Sequence, residues 1–392
     1  MPLGLYLSVP FCRTKCTYCN FASDVFSRTM FQRYVDRVNF DLDHAQETAL
    51  AQGGSFESAV DSIFLGGGTP TVLETDQFEA LFQGIARNFH LQPGAEVTVE
   101  CAPGTLTASL LEAFRRCSVN RVSLGVQSFV DKEAASVGRI HKESTVAGDI
   151  AHLRESGISN INVDLIAGLP HQTAESWEFS VQQAIASGVP HVSVYMLEVD
   201  EDSRLGREVL AGGTKYHAHF VPDDDLTADF YLAACERLNT AGIQQYEISN
   251  FARPGLESRH NLKYWTRQPY MGFGVDAHSM LKVKADAYRG VEAVRFSTPD
   301  SLDAYLRAEA LQKTLLSRDA ALEESFFLGL RLNRGVNLDL IRQSLGEEIV
   351  SACDSTINEL VDEQLLDQTG NSLRLTSRGR LLSNEVFERF IA

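Results

Sequence analysis

The chain has 392 residues, of which 44% are apolar and 22% charged, the balance of a folded globular protein and not of a disordered or fibrous one. Its apolar runs are shorter than the ~18 to 20 residues of a transmembrane helix, so no membrane span is expected, although a peripheral membrane contact stays compatible with the sequence. With 35 Lys and Arg against 52 Asp and Glu, the formal net charge is −17, and a field of this sign argues against nucleic acid as a partner.

The amino terminus, MPLGLYLSVPFC, has neither the basic segment nor the apolar length of a secretory signal, so we expect a cytoplasmic protein. From residue 1 to about residue 200, short β-branched runs alternate with amphipathic stretches, a pattern typical of βα units on a parallel sheet. Such units predict an open, partial barrel, although periodicity alone leaves a flat doubly wound sheet as an alternative. The six predicted strands are Leu5–Val9, Ser62–Leu65, Val97–Glu100, Arg121–Gly125, Ile161–Ile166 and His191–Leu197.

The pattern changes in the last quarter of the chain. After about residue 297 it becomes a series of helical stretches, followed by a probable hairpin, LLDQTGNSLRLT, and a terminal helix. Helices followed by a hairpin are compatible with a winged helix. Because no basic patch accompanies them, we expect a packing or lid domain and not a nucleic-acid-binding one.

Three of the seven cysteines, Cys12, Cys16 and Cys19, are spaced C-x3-C-x2-C directly after the first predicted strand. Clustered thiolates of this kind indicate a centre of soft metal ions. Zinc usually takes a fourth Cys or His, and electron-transfer clusters usually take four cysteines, but no such residue is near in the sequence. A [4Fe–4S] cluster with one open iron is favoured, and a zinc site with a distant fourth ligand such as Cys101 is the alternative.

The segment YLSVPFCRTKCTYCNF resembles the cluster loop of radical S-adenosylmethionine (SAM) proteins, in which SAM chelates the open iron. Further segments resemble one branch of that superfamily, which contains the oxygen-independent coproporphyrinogen III dehydrogenases and the haem chaperones of the HemW type. These segments are FLGGGTPT, ECAPGTL, NRVSLGVQSF, VGRIH, INVDLIAGLP, QYEISNFARPG and RHNLKYW. The resemblance implies an α/β fold with a partial (βα)6 TIM-like radical SAM barrel over residues 1–215. It also implies a family-specific region over 216–297 and a mostly helical, possibly winged-helix-like domain over 298–392.

The resemblance also implies a set of residues that bind SAM. Glu100, Gln127 and Asp164 stand at or just after the carboxyl ends of predicted strands, where barrel enzymes build their sites. Acidic groups there suit ribose hydroxyls, and the planar guanidinium of Arg139 suits the SAM carboxylate. Ala102 departs from the family, since many relatives have Asn at this place. The full set of implied SAM residues is Tyr6, Tyr18, Phe21, Gly67, Gly68, Thr69, Glu100, Gln127, Arg139 and Asp164.

Three features favour a haem chaperone within this branch. The dehydrogenases carry a fourth cysteine after the third ligand, whereas here Asn20 and Phe21 follow Cys19, and only eleven residues precede Cys12. The segment from Arg259 to Trp265 matches the HNxxYW motif proposed to bind haem in the chaperones, with His260 and Tyr264 as ligand candidates and His278 as a weaker one.

The predicted function is therefore a radical SAM [4Fe–4S] protein that binds haem as cargo and delivers it to acceptor haemoproteins, with a reductant for the cluster as a further partner. Whether it is an enzyme stays open, and coproporphyrinogen dehydrogenase activity is expected to be absent. The main alternative is a radical enzyme that oxidatively decarboxylates a tetrapyrrole. A zinc-stabilised interaction protein is a third reading, which would make the SAM motifs coincidental.

Overall fold

The computed structural model describes residues 1–283 and 290–391. Its main feature is a twelve-stranded sheet with the order β12-β11-β10-β9-β1-β2-β3-β4-β5-β6-β8-β7. A second sheet of three strands has the order β13-β15-β14. The strands in chain order are β1 (Leu3–Val9), β2 (Ala59–Gly67), β3 (His90–Cys101), β4 (Arg121–Gln127), β5 (Asn160–Ala167), β6 (His191–Met196), β7 (Gln244–Gln245), β8 (Asn250–Ala252), β9 (Tyr270–Gly274), β10 (His278–Lys282), β11 (Val291–Ser297), β12 (Gln312–Ser317), β13 (Val336–Asn337), β14 (Leu366–Thr369) and β15 (Ser372–Leu375).

Helices connect these strands, and several begin at a Ser, Thr or Asp whose side chain accepts a hydrogen bond from the first turn. The helices are α1 (Thr29–Asp43), α2 (Ala45–Ala51), α3 (Thr75–Asn88), α4 (Ala108–Arg116), α5 (Asp131–Ser136), α6 (Glu143–Glu155), α7 (Ala174–Ala186), α8 (Arg204–Leu210), α9 (Asp224–Thr240), α10 (Arg259–Trp265), α11 (Leu302–Leu306), α12 (Arg318–Gly329), α13 (Leu338–Leu345), α14 (Glu347–Ser351), α15 (Asp354–Asp362), α16 (Ser377–Leu381) and α17 (Ser383–Glu388). Within the described residues, no helix is both long and apolar enough to span a bilayer.

The barrel consists of β1 to β6, which are parallel and adjacent in chain order. Their residues are buried almost throughout, as expected for parallel strands covered on both faces. All six predicted strands are present, so the predicted partial barrel with a helical carboxyl-terminal region is confirmed.

The sheet continues beyond the barrel on both edges. β9 pairs in parallel with the free edge of β1, and β10, β11 and β12 follow as an antiparallel extension. β12 was not predicted, because its sequence QKTLLS is polar and mostly exposed. Leu302 and Tyr305, which follow the predicted boundary at 298, also pack into the main core.

The carboxyl-terminal region has a hydrophobic core of its own, built from α12 to α17 and the small sheet. The predicted hairpin is present as β14 and β15, joined at Gly370. Helices followed by a three-stranded sheet are the elements of a winged helix. This region lies outside the barrel that carries the candidate site.

Candidate functional site

A cavity of about 540 Å³ opens at the carboxyl ends of the barrel strands and extends into the barrel. The motifs singled out from the sequence meet here although they lie far apart in the chain. The cavity is lined by Cys12, Cys16, Cys19, Tyr18, Phe21, Gly67, Gly68, Thr69, Glu100, Gln127, Arg139 and Asp164, among others. Of the predicted site residues, Tyr6, His260 and Tyr264 lie outside it.

The cysteine loop follows β1 and is held by backbone hydrogen bonds, one to the residue after α5 and one within the loop. The Thr17 amide donates to the Val137 carbonyl oxygen at 3.1 Å, and the Cys12 amide donates to the Asp24 carbonyl oxygen at 3.0 Å. The hydroxyl of Thr69 lies 3.8 Å from the Cys12 sulfur. Burial raises the pKa of the Cys12 thiol, so a bound metal would have to supply the energy that ionises it.

The donors for a mononuclear zinc site are not assembled. Across residues 1–283 and 290–391, no three His, Cys, Asp or Glu side chains converge on one ion. Cys101, the distant candidate ligand, is buried with its sulfur 3.4 Å from the Thr105 hydroxyl, and burial raises the pKa of its thiol to about 12. A [4Fe–4S] cluster binds each thiolate through a different iron, and three thiols lining one cavity fit that requirement better.

The glycine run packs against the cysteine loop. Gly67 ends β2 with φ +91°, a conformation that favours glycine. The Gly68 amide donates to Val9 and the Thr69 amide to Phe11, and a Cβ on Gly68 would lie 2.7 Å from both of those carbonyl oxygens. Close packing on the loop therefore requires glycine at position 68 whether or not a ligand is bound.

Two carboxyl groups, Glu100 and Asp164, line the main cavity. Burial raises the pKa of Glu100 to about 8, with the nearby Asp164 as the second cause. Burial also raises the pKa of Asp164, against hydrogen bonds donated by Ser123 at 3.1 Å and Asn162 at 2.7 Å. Perturbed carboxyls in a cleft are typical of a functional site, and these two can accept hydrogen bonds from ligand hydroxyls once ionised.

Arg139 and Gln127 complete the rim. One guanidinium nitrogen of Arg139 donates to the Tyr18 hydroxyl at 2.7 Å, while its Nε is buried and has no partner within the described chain. Gln127 ends β4 with φ +69°, an unfavourable conformation for a residue with a side chain. A buried Arg139 Nε that lacks a hydrogen-bond partner in the described chain could donate to the carboxylate of a bound ligand.

The sequence did not single out Arg121, which is 2% exposed and lines the same cavity. No hydrogen bond or ion pair of its guanidinium is found within the described residues, and its Nε is buried and unpartnered. Its charge lowers the pKa of both Glu100 and Asp164. An Arg at the start of a strand is usually exposed, so the sequence carried no signal for this position beyond the motif NRVSLG.

The HNxxYW segment forms α10, which closes the barrel at the amino-terminal ends of the strands. The Glu96 carboxylate accepts the amides of Arg259 at 2.9 Å and His260 at 3.0 Å, and Lys263 forms an ion pair with Asp61 at 2.7 Å. Of this helix, His260 and Lys263 are buried, while Arg259 is exposed. Only Asn261 of the segment reaches the main cavity.

His260 is 1% exposed, and both ring nitrogens are engaged: Nδ1 lies 3.0 Å from Ser62 Oγ and Nε2 lies 2.8 Å from the Tyr264 hydroxyl. Burial lowers its pKa to about 3. In this arrangement His260 offers no free nitrogen to iron. Lys263, a cation of the same segment, is likewise buried and already paired.

A second cavity of about 330 Å³ adjoins the first. Phe21 and Gly67 line both cavities, so the two share a wall. Tyr6 and Tyr264 are found here and not in the main cavity. The remaining lining residues are Ser8, Ala22, Tyr270, Asp276 and His278.

A partial barrel with three clustered thiols at its mouth defines a radical SAM protein. In agreement, residues 6–184 match the family described as "Radical SAM superfamily". Residues 316–382 match the family described as "HemN C-terminal domain". "Heme chaperone HemW" of Lactococcus lactis subsp. lactis is 31% identical over 100% of this chain and 97% of its own length. "Heme chaperone HemW" of Mycobacterium tuberculosis is 33% identical over 98% and 94%. The chain belongs to the HemW family.

Among solved structures, coproporphyrinogen III oxidase (HemN) from Escherichia coli, described as a radical SAM enzyme, superimposes on this chain with a TM-score of 0.83. The superposition covers 99% of this chain and 90% of that one, at 24% sequence identity. At that identity the likeness shows the fold alone.

Proposed function

We propose that Cys12, Cys16 and Cys19 hold a [4Fe–4S] cluster and that the main cavity binds SAM beside it. Membership of a radical SAM family and the gathering of the three thiols in one cavity support this assignment. Such a cluster, when bound, chelates SAM through its open iron and transfers an electron to it, so a reductant is a required partner.

The cavity residues would hold SAM by complementary charge. Arg139 would bind the carboxylate through its planar fork, and Glu100 and Asp164 would accept hydrogen bonds from the ribose hydroxyls. Gly67, Gly68 and Thr69 would lie at the amino group, with Gln127 at the rim and Tyr18 orienting Arg139. Phe21 would lie by the adenine. Tyr6 lines the adjoining cavity and would lie against Gly67, where a Cβ would be 3.5 Å from the Tyr6 hydroxyl.

We propose further that the protein is a haem chaperone, which binds haem and delivers it to acceptor haemoproteins. The observation that carries this is the match over nearly the full length of both chains to several proteins named as haem chaperones. The absent fourth cysteine agrees with it, because Phe21 stands two positions after Cys19, where the dehydrogenases of this branch carry that cysteine.

Anaerobic reconstitution with iron and sulfide, followed by absorption spectra with and without haemin, tests cluster and cargo together. The expected result is a broad cluster absorption, a Soret band on adding haemin, and transfer of haem to an apo-haemoprotein such as apomyoglobin. Absence of haem binding would overturn the chaperone proposal. Efficient conversion of coproporphyrinogen III by the purified protein would establish the alternative, a radical enzyme acting on a tetrapyrrole.

A further inference from the structure

The second cavity carries features of a porphyrin site, and this inference rests on the proposed haem-binding function. Aromatic side chains form its walls: Tyr6 from β1, Tyr264 from α10, Tyr270 from β9 and Phe21 from the cysteine loop. Tyr264 and Tyr270 meet edge to face with ring centroids 4.6 Å apart. Phe21 is 66% exposed, so the cavity is open to solvent on this side. Flat aromatic walls with one open side suit a macrocycle whose carboxylates remain in water.

The tyrosines of this cavity are poor ligands for iron. Burial raises the pKa of Tyr6, of Tyr264 and of Tyr270, which keeps all three as neutral phenols. The Tyr264 hydroxyl is also engaged by His260 at 2.8 Å. A ligand to iron in this cavity must therefore come from another side chain.

His278 is that side chain. It lines the cavity with its side chain 56% exposed, and its Nε2 lies 3.6 Å from the Asp276 carboxylate. The other ring nitrogen, Nδ1, has no partner in the part of the chain that is described. A carboxylate that accepts a hydrogen bond from one imidazole nitrogen makes the other nitrogen a better metal ligand, and the 3.6 Å separation need shorten only slightly for that bond to form.

The backbone presents this pair rigidly. Asp276 has φ +53°, an unusual value for a residue with a side chain, and its amide donates to Pro299 at 2.8 Å. The next amide, that of Ala277, donates to Thr298 Oγ1 at 2.8 Å, and His278 opens β10 opposite Ser297. Strained backbone that is held by its surroundings is typical of functional sites.

We propose that the second cavity binds haem with His278 as the axial ligand to iron and Asp276 as its supporting carboxylate. His260 and Tyr264 of the HNxxYW segment then build the wall of the site without ligating iron. The shared wall at Phe21 and Gly67 sets the haem directly against the cavity that holds the cluster loop.

The test compares haemin with iron-free protoporphyrin IX, titrated into the cluster-reconstituted protein. For His278→Ala we expect the haemin Soret band to shift and affinity to fall by more than about tenfold, with protoporphyrin binding almost unchanged because it needs no axial ligand. Asp276→Asn should weaken haemin binding less than His278→Ala does. His278→Cys should restore haemin binding with the red-shifted Soret band of a thiolate ligand.

The matched control is His219→Ala, which removes another exposed histidine that contacts an aromatic ring. It should leave the haemin spectrum unchanged. An unaltered Soret band and affinity in His278→Ala would overturn this assignment while leaving haem binding established. Absence of haemin binding by the unsubstituted protein would instead remove the proposed function itself.

Discussion

His260 and Ser62, which lie 198 residues apart in the chain, share a hydrogen bond inside the barrel with Nδ1 3.0 Å from Oγ. Ser62 belongs to β2 and is fully buried, and His260 belongs to α10 and is 1% exposed. The imidazole thus fastens the closing helix to the sheet. Because neither nitrogen is free, the histidine of the HNxxYW segment has a structural role in this conformation.

The first prediction follows from the pKa of His260, which burial lowers to about 3. The unfolded chain takes up a proton on this imidazole near its ordinary pKa of 6.5, whereas the folded chain does not until about pH 3. The neutral, buried His260 therefore contributes fully to the free energy of unfolding above about pH 6.5. Below that pH its contribution declines by about 1.4 kcal/mol per pH unit.

His260→Gln should remove that part of the slope. Urea denaturation of both proteins between about pH 4.5 and 7.5 measures it. His90→Gln, at an exposed histidine, is the control and should keep the slope of the unsubstituted protein. Equal slopes for His260→Gln and the unsubstituted protein would contradict the buried, neutral state of His260.

The second prediction concerns the cysteines. Replacing Cys12, Cys16 or Cys19 singly with Ser should abolish the brown chromophore of the reconstituted protein, because each thiolate would hold a different iron. Cys101→Ser should retain it, since that sulfur is paired with Thr105. Iron, sulfide and zinc analysis checks the result, and stoichiometric zinc without iron or sulfide would refute the cluster.

The third prediction concerns Arg139. Arg139→Ala should weaken SAM binding by about 1.5 to 3 kcal/mol, the range of a hydrogen bond to a charged group, while cluster content is unchanged. Calorimetric titration of SAM measures the loss. Tyr18→Phe removes only the 2.7 Å hydrogen bond to the guanidinium and should cost less. Unchanged SAM affinity in Arg139→Ala would exclude Arg139 from the site.

The fourth prediction uses the pKa of Glu100, which burial and Asp164 raise to about 8. If SAM binds the ionised carboxylate, the affinity for SAM should increase with pH up to about pH 8. The increase should be at most about tenfold per pH unit. Glu100→Gln should abolish this dependence. Identical pH profiles in the two proteins would show that Glu100 does not titrate against SAM.

A fifth prediction concerns Arg121, whose charge lowers the pKa of Glu100. Arg121→Leu should move the rise in SAM affinity to higher pH, because the carboxylate loses a nearby positive charge. Arg121→Lys, which keeps the charge, should restore the original profile. If Arg121→Leu has the same pH profile of SAM affinity as the unsubstituted protein, the Arg121 guanidinium does not influence the pKa of Glu100.

The sequence predicted the barrel well, because parallel strands buried on both faces read as continuous apolar runs such as INVDLIA. It also predicted twelve of the residues that line the main cavity, since these stand in the cysteine loop and in motifs at strand ends. It could not predict that Ser62 and Tyr264 occupy both ring nitrogens of His260, because Ser62 lies 198 residues away in the chain. β12 escaped prediction for a related reason: its pairing with β11, and not an apolar pattern, holds it in the sheet.

The position of β1 has a consequence for the order of events during synthesis. One edge of β1 pairs with β2, but the other pairs with β9, where Gly4 lies opposite Tyr270. At ribosomal speeds, the second neighbour emerges on the order of tens of seconds after the first strand. β1, which leads into the cysteine loop, is thus among the first segments made, yet one of its edges stays unpaired until β9 has been synthesised. If the three cysteines hold the proposed cluster, a barrel with both edges of β1 paired is available to receive it only after β9 has been made.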